Sequence, residues 1–144
     1  TIIASTAWSF EAFADRAEAA ERQGMATQAV PSLTRWFRPE DLAADGWGVR
    51  YARGTVERSL VANWSAAWRA LAAIDSGNRL ATITVPTHII AGELDVSTPP
   101  SLMERFREIP GSTYEVIPGM PHMLSLVGPK ELSDAIRRGV DKAG

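Results

Sequence analysis

Along the chain the spacing of apolar residues changes its period, and the change divides the sequence. Thr1-Ile2-Ile3-Ala4-Ser5 is short, apolar and β-branched, which predicts a strand. From there to about Asp75 apolar residues recur at intervals of three and four. Phe10, Phe13, Ala14 and Ala17 form one stripe, with Ser9 placed as its N-cap and Gly24 as its stop. Ala26, Ala29, Val30, Leu33 and Phe37 form a second, ended by Pro39. In the third, from about Val56 to Ala73, Leu60, Val61, Trp64, Ala67, Trp68 and Leu71 share one face while Glu57, Arg58 and Arg69 point elsewhere. The spacing predicts a helical block that closes at the turn-forming cluster Asp75-Ser76-Gly77-Asn78.

Beyond that turn, strand and helix patterns alternate. Pro86-Thr87-His88-Ile89-Ile90-Ala91, closed by Gly92, reads as a buried parallel strand. Pro99 and Pro100 stand where a helix begins, with Leu102, Met103, Phe106 and Ile109 on one face until Pro110-Gly111. Thr113 to Pro118 is another strand, and Pro129 opens a last helix striped by Leu132, Ala135, Ile136 and Val140. The order is that of an α/β protein. Three strands make a thin parallel sheet, so the expectation is that the chain is the second half of a larger fold, pairing with a segment that carries the first half.

Composition narrows the function. The 144 residues hold 15 basic and 17 acidic side chains, a net charge of −2, so no basic surplus exists to neutralise a nucleic-acid backbone or an anionic membrane. There is no cysteine, which removes disulfides, thiolate metal sites and a cysteine nucleophile, and two histidines are too few for a His-rich metal site. No stretch resembles a signal peptide or a membrane helix, and a cytoplasmic protein is expected, with neither metal nor organic cofactor. Thr1 already lies inside an apolar run and is not expected to be the start of a translated product.

Two loops follow strands at their C-terminal ends, where open α/β sheets place ligands. Gly92 to Pro100 offers Asp95, and Pro118 to Met123 offers His122. A carboxylate that accepts a hydrogen bond from one imidazole nitrogen fixes the tautomer and leaves the other nitrogen to take a proton from a nucleophile. Glu93 is the rival acid. His88, inside a strand between Thr87 and Ile89, reads as a packed structural residue.

The run Val85-Pro86-Thr87-His88-Ile89-Ile90-Ala91-Gly92-Glu93-Leu94-Asp95, with Thr98-Pro99-Pro100, Gly119 to His122 and Pro129, resembles the C-terminal half of an α/β-hydrolase. Arg35-Trp36-Phe37 and Pro39 look most like the 3-oxoadipate enol-lactonase group and related small esterases and lactonases. The resemblance implies that Asp95 is the acid and His122 the general base of a Ser-His-Asp triad. Residues 1–5 would be a core strand, residues 6–78 a helical cap, and residues 79–144 the part of the core carrying acid and histidine. None of the eleven serines stands in Gly-x-Ser-x-Gly. The nucleophile and the oxyanion hole are therefore expected on a separate or cleaved N-terminal half, and this chain alone is expected to be inactive. Many relatives carry a glutamate shortly before the proline that follows the histidine, where this chain has Val127.

The implied reaction is hydrolysis of a small ester or lactone. An aspartate nucleophile would instead make a haloalkane dehalogenase, and carbon–carbon bond hydrolysis or cofactor-free haloperoxidation would use the same fold. A non-catalytic fragment whose helical block binds a partner protein is the alternative from another class. All five tryptophans fall in the proposed cap. Aromatic stripes mostly build cores, but Trp8, Trp36 and Trp64, with Met123 beside the histidine, are the candidates for substrate contact.

Overall fold

The computed structural model describes residues 2–3 and 6–142. Two compact units are present: one runs from Ala7 to Asp75, and the other joins the residues before Ala7 to those after Asp75.

The second unit is built on a three-stranded parallel sheet in the order β1-β2-β3. Strand β1 is Ile2–Ile3, β2 is His88–Gly92 and β3 is Thr113–Ile117. Thr1, Ala4 and Ser5, the rest of the expected first strand, lie outside the described residues. Ile2 aligns with His88, and His88 with Thr113, so β2 lies in the middle and every one of its residues is buried. That position explains its run of Ile89, Ile90 and Ala91, since a central parallel strand is covered on both faces.

Prolines set the helices that follow. Pro100 opens α6 (Pro100–Glu104), whose apolar stripe then continues through a tighter turn at Arg105–Glu108. Met103, Phe106 and Ile109 are buried as the stripe requires. Pro129 opens α8 (Pro129–Asp141), preceded by a short α7 (Leu124–Val127) that the sequence pattern did not indicate. Leu132, Ala135 and Ile136 of α8 pack with Ile90, Ile117, Met120 and Leu124, whereas Val140 is 63% exposed and stands off this face. Farther along α8, Gly139 lies so close to His88 that a Cβ there would meet the imidazole at 2.5 Å.

The first unit is helical throughout. Helix α1 (Glu11–Gln23) ends at Gly24, whose φ of 76° is the left-handed conformation that glycine adopts without strain. Its N-cap is Phe10, without a capping side chain; Ser9, expected in that role, instead donates its hydroxyl to Ala72 O at 2.7 Å. The second stripe resolves into a tight turn at Ala26–Gln28 and α2 (Ala29–Trp36). Pro39 does more than end that stripe: it is the first residue of α3 (Pro39–Ala44), where its missing N–H costs nothing.

The third stripe is two helices rather than one. Helix α4 (Trp47–Arg58) and α5 (Val61–Ala72) are separated at Ser59 and Leu60, both extended, and Leu60 is 67% exposed instead of sharing the apolar face. Helices α1 and α5 pack through small residues, with Ala17 and Ala20 fully buried and the Ser65 hydroxyl donating to Ala17 O at 3.3 Å. Ala20, Met25, Ala29 and Val56 form the core of the unit, with Trp36, Val61 and Trp64 packed against it.

Candidate active site

Strands β2 and β3 end side by side, and the loops that leave them are laced together by main-chain bonds. Glu93 N donates to Ile117 O at 3.1 Å, and Leu94 N to Met120 O at 2.9 Å. The approach is possible only because position 92 has no side chain: a Cβ there would stand 2.5 Å from Met120 O and 2.8 Å from Pro121 O. Glu93 adds a polar clasp by accepting from Gly119 N at 2.7 Å, and Gly119 turns the second loop with φ 67°. These bonds carry Asp95 of one loop to His122 of the other.

His122 Nδ1 lies 2.8 Å from Asp95 Oδ2. The Asp95 side chain is 5% exposed and that of His122 is 26% exposed, so the acid is buried behind a histidine that reaches water. Asp95 is held on its other sides by its own loop. Ser97 N and Thr98 N donate to Oδ1 at 2.7 and 2.9 Å, and the Thr98 hydroxyl donates to Oδ2 at 2.8 Å. Burial pushes the Asp95 carboxyl up, but the bonds from His122 and Thr98 outweigh it and hold the group below the usual carboxylate range. An ionised Asp95 can only accept, so the proton between the pair belongs to His122 Nδ1, which in a neutral ring leaves the lone pair on Nε2. A carboxylate that orients an imidazole, with the far nitrogen free to accept, is the base half of a nucleophilic relay.

Glu93 directs its carboxylate to Gly119 rather than to His122. His88 is buried at the other end of β2, with Nδ1 2.7 Å from Thr113 Oγ1 and Nε2 3.5 Å from Glu115 Oε2. Burial holds its pKa below the ordinary histidine value, against the opposing charge of Glu115. Met123, half-buried, caps α7, where its carbonyl accepts from Leu126 N and Val127 N. Trp36 and Trp64 pack on the core of the helical unit, their rings 6.5 Å apart, and Trp8 pairs with Asp75 in an isolated antiparallel bridge.

Sequence reasoning passed over Ser97 and Thr98 as Asp95 partners. The signal was present: an Asp two and three residues before Ser-Thr is the pattern of an Asx turn, in which the carboxylate accepts from the next amides. Among the described residues no group of three or more His, Cys, Asp or Glu side chains could hold a metal ion, and no helix is long and apolar enough to cross a membrane.

No protein-family model matches the chain. Over 96 residues it is 33% identical to 3-oxoadipate enol-lactonase 1 of Acinetobacter baylyi, a stretch that is 66% of this chain and 36% of that protein. A crystal structure of a hydrolase from Pseudomonas aeruginosa PA01 superposes with a TM-score of 0.89 at 22% identity, covering 96% of this chain and 54% of that one. The enol-lactonase from Burkholderia xenovorans LB400 superposes with a TM-score of 0.82 at 23% identity, over 96% of this chain and 52% of that one. The chain thus spans about half the length of the solved structures it matches.

Proposed function

This chain carries about half of an α/β-hydrolase fold, and from that premise we propose that Asp95 and His122 are the acid and base of a Ser-His-Asp hydrolase cleaving a small ester or lactone. The observation that carries the reading is the 2.8 Å bond from His122 Nδ1 to a buried carboxylate held by three further donors. Such an imidazole is oriented before substrate arrives, so no reorganisation is needed at the moment of proton transfer.

In this reading the nucleophile is a serine in Gly-x-Ser-x-Gly on polypeptide outside these 144 residues, which also supplies the backbone N–H groups of the oxyanion hole. His122 Nε2 takes the serine proton as Oγ attacks the carbonyl, and returns it to the leaving alkoxide as the C–O bond breaks. Water, deprotonated by the same nitrogen, then cleaves the acyl-enzyme, and the proton returns to serine. Asp95 stabilises the imidazolium at each step. Apolar contact to the substrate beside His122 is assigned to Met123, adjacent to it in sequence. The enol-lactonase relatives favour a lactone or ester over a halide or carbon–carbon substrate.

The test is covalent labelling. The protein, isolated with any polypeptide that accompanies this chain, is treated with a fluorophosphonate and the labelled peptide is mapped by mass spectrometry. The expected result is a phosphonylated serine in a Gly-x-Ser-x-Gly peptide outside these 144 residues, with labelling abolished by His122→Ala. No labelled serine, or labelling indifferent to His122→Ala, would overturn the proposal, as would halide release from haloalkanes.

A further inference from the structure

Two hydroxyls follow Asp95 in its loop, and the structure uses them differently. The Ser97 hydroxyl is buried without a hydrogen-bond partner, although the Ser97 amide donates to Asp95 Oδ1 at 2.7 Å. Thr98 engages the acid twice: its amide donates to Oδ1 at 2.9 Å and its hydroxyl to Oδ2 at 2.8 Å. Oδ2 is also the oxygen that meets His122 Nδ1, at 2.8 Å. One residue therefore spans both carboxylate oxygens and shares the second of them with the imidazole.

Thr98 is itself held from its far side. It precedes Pro99, and Pro99 precedes Pro100; a residue before proline is driven out of the helical region into extended backbone, as Pro99 shows with φ −62° and ψ 157°. The amides of Leu102 and Met103 donate to Pro99 O at 2.9 and 3.0 Å, and the side chains of both are buried. The Tyr114 hydroxyl of β3 donates to Pro100 O at 2.8 Å. The Thr98 hydroxyl is thus presented to Asp95 by a stiff segment tied to the sheet.

We propose that Thr98 is a positioning residue of the relay, bridging both oxygens of Asp95 so that Oδ2 faces His122 Nδ1, a role that rests on the hydrolase reading above. The turn of a carboxylate about its Cβ–Cγ bond is a broad torsion without sharp rotamers, so two amides on Oδ1 alone would leave Oδ2 free to swing. A bond to Oδ2 from the same residue removes that freedom, and the β-branch of threonine restricts the torsion that aims its own hydroxyl. The hydroxyl neither gains nor loses a proton in the reaction, so the clamp persists when the imidazole becomes charged.

The experiment uses the protein isolated with any polypeptide that accompanies this chain. Thr98→Val keeps the shape and removes the hydroxyl, whereas Thr98→Ser keeps the hydroxyl. Hydrolysis of a chromogenic acetate ester is measured per fluorophosphonate-reactive serine, so that unfolded molecules do not count. Thr98→Val is expected to lower kcat about tenfold or more with KM unchanged, because a hydrogen bond to a charged group is lost from the relay and none from the substrate. Thr98→Ser is expected to restore the parent kcat. In ¹⁵N–¹H spectra the His122 Nδ1 proton should exchange with water faster in Thr98→Val than in the parent or in Thr98→Ser.

A role in packing alone would lower Tm in Thr98→Val and leave both kcat per reactive serine and the Nδ1 proton unchanged, overturning the proposal. It is equally overturned if Thr98→Ser is as slow as Thr98→Val, or if KM rises while kcat holds. His122→Ala is measured beside them: if it hydrolyses the ester as the parent does, the hydrolase reading falls and this role with it, whereas an inactive His122→Ala beside a fully active Thr98→Val removes the role of Thr98 alone. Should Thr98→Val fail to fold, Thr98→Cys supplies a weaker donor and is expected to be slower than Thr98→Ser, and a kcat equal to the parent's would overturn the proposal.

Discussion

The α/β unit and the helical unit treat buried charge in opposite ways. In the first, the Asp95 carboxylate is surrounded by four donors, from Ser97, twice from Thr98 and from His122. In the second, the half-buried guanidiniums of Arg16 and Arg35 meet aromatic faces and one long contact to Ser32. A satisfied charge is fixed in place and orients its neighbour, whereas a cation packed only on aromatic faces is less firmly placed. Asp95 thus has the properties of a positioning group, which Arg16 and Arg35 lack.

The contrast is broken most severely at the relay. With the nucleophile-bearing polypeptide present, Asp95→Asn is expected to lower ester hydrolysis about 10⁴-fold by releasing the wrong imidazole tautomer. His122→Ala should do at least as much, measured as kcat on a chromogenic acetate ester. A next largest effect is expected at Gly92, where Ala would press a methyl group into the Met120 and Pro121 carbonyls. Overpacking of this kind costs about 1–3 kcal/mol, read as a lowered urea midpoint, and should also part the loops that bring Asp95 to His122.

The pH dependence sharpens the comparison further. Asp95 is held below its unfolded pKa, so it contributes stability above that value and loses it as pH falls through the folded one. Its part of the acid limb should vanish in Asp95→Asn when Tm is followed below about pH 4. His88 is also held below its unfolded value, mainly by burial, so the folded state binds fewer protons and stability falls as pH drops below the ordinary histidine range. His88→Gln should flatten that slope between about pH 6.5 and 5. The smallest effect is expected in the helical unit, where Ser9→Ala removes one exposed bond to Ala72 and about 1 kcal/mol or less, seen as a small fall in Tm.

The two units were also unequally legible in the sequence. Prolines and glycines punctuate the α/β unit, so Gly92, Pro100 and Pro129 mark element ends within a residue of where they fall. In the helical unit the break between α4 and α5 falls at Ser59 and Leu60, which carry no breaker, and the sequence's apolar stripe runs straight through it. Helix α4 escaped notice because its buried face is Val49, Ala52 and Val56, small residues with glycines among them, while its largest side chains, Trp47 and Tyr51, stack on each other in solvent. Asp95 and His122 stood out because each follows a strand, a local property. Arg16 and Arg35 did not, because their isolation is set by which carboxylates other arginines have taken, and spacing along one chain does not encode that.

Whether the α/β unit presets a histidine for proton transfer can be measured on the chain itself by ¹⁵N–¹H correlation of the imidazole nitrogens. With two histidines in the sequence, a His88→Gln variant assigns both. The account requires neutral His122 to carry its proton on Nδ1, with a bare Nε2, and to lose that preference in Asp95→Asn. A His122 protonated on Nε2 in the parent chain, or one whose tautomer ignores Asp95, would contradict it.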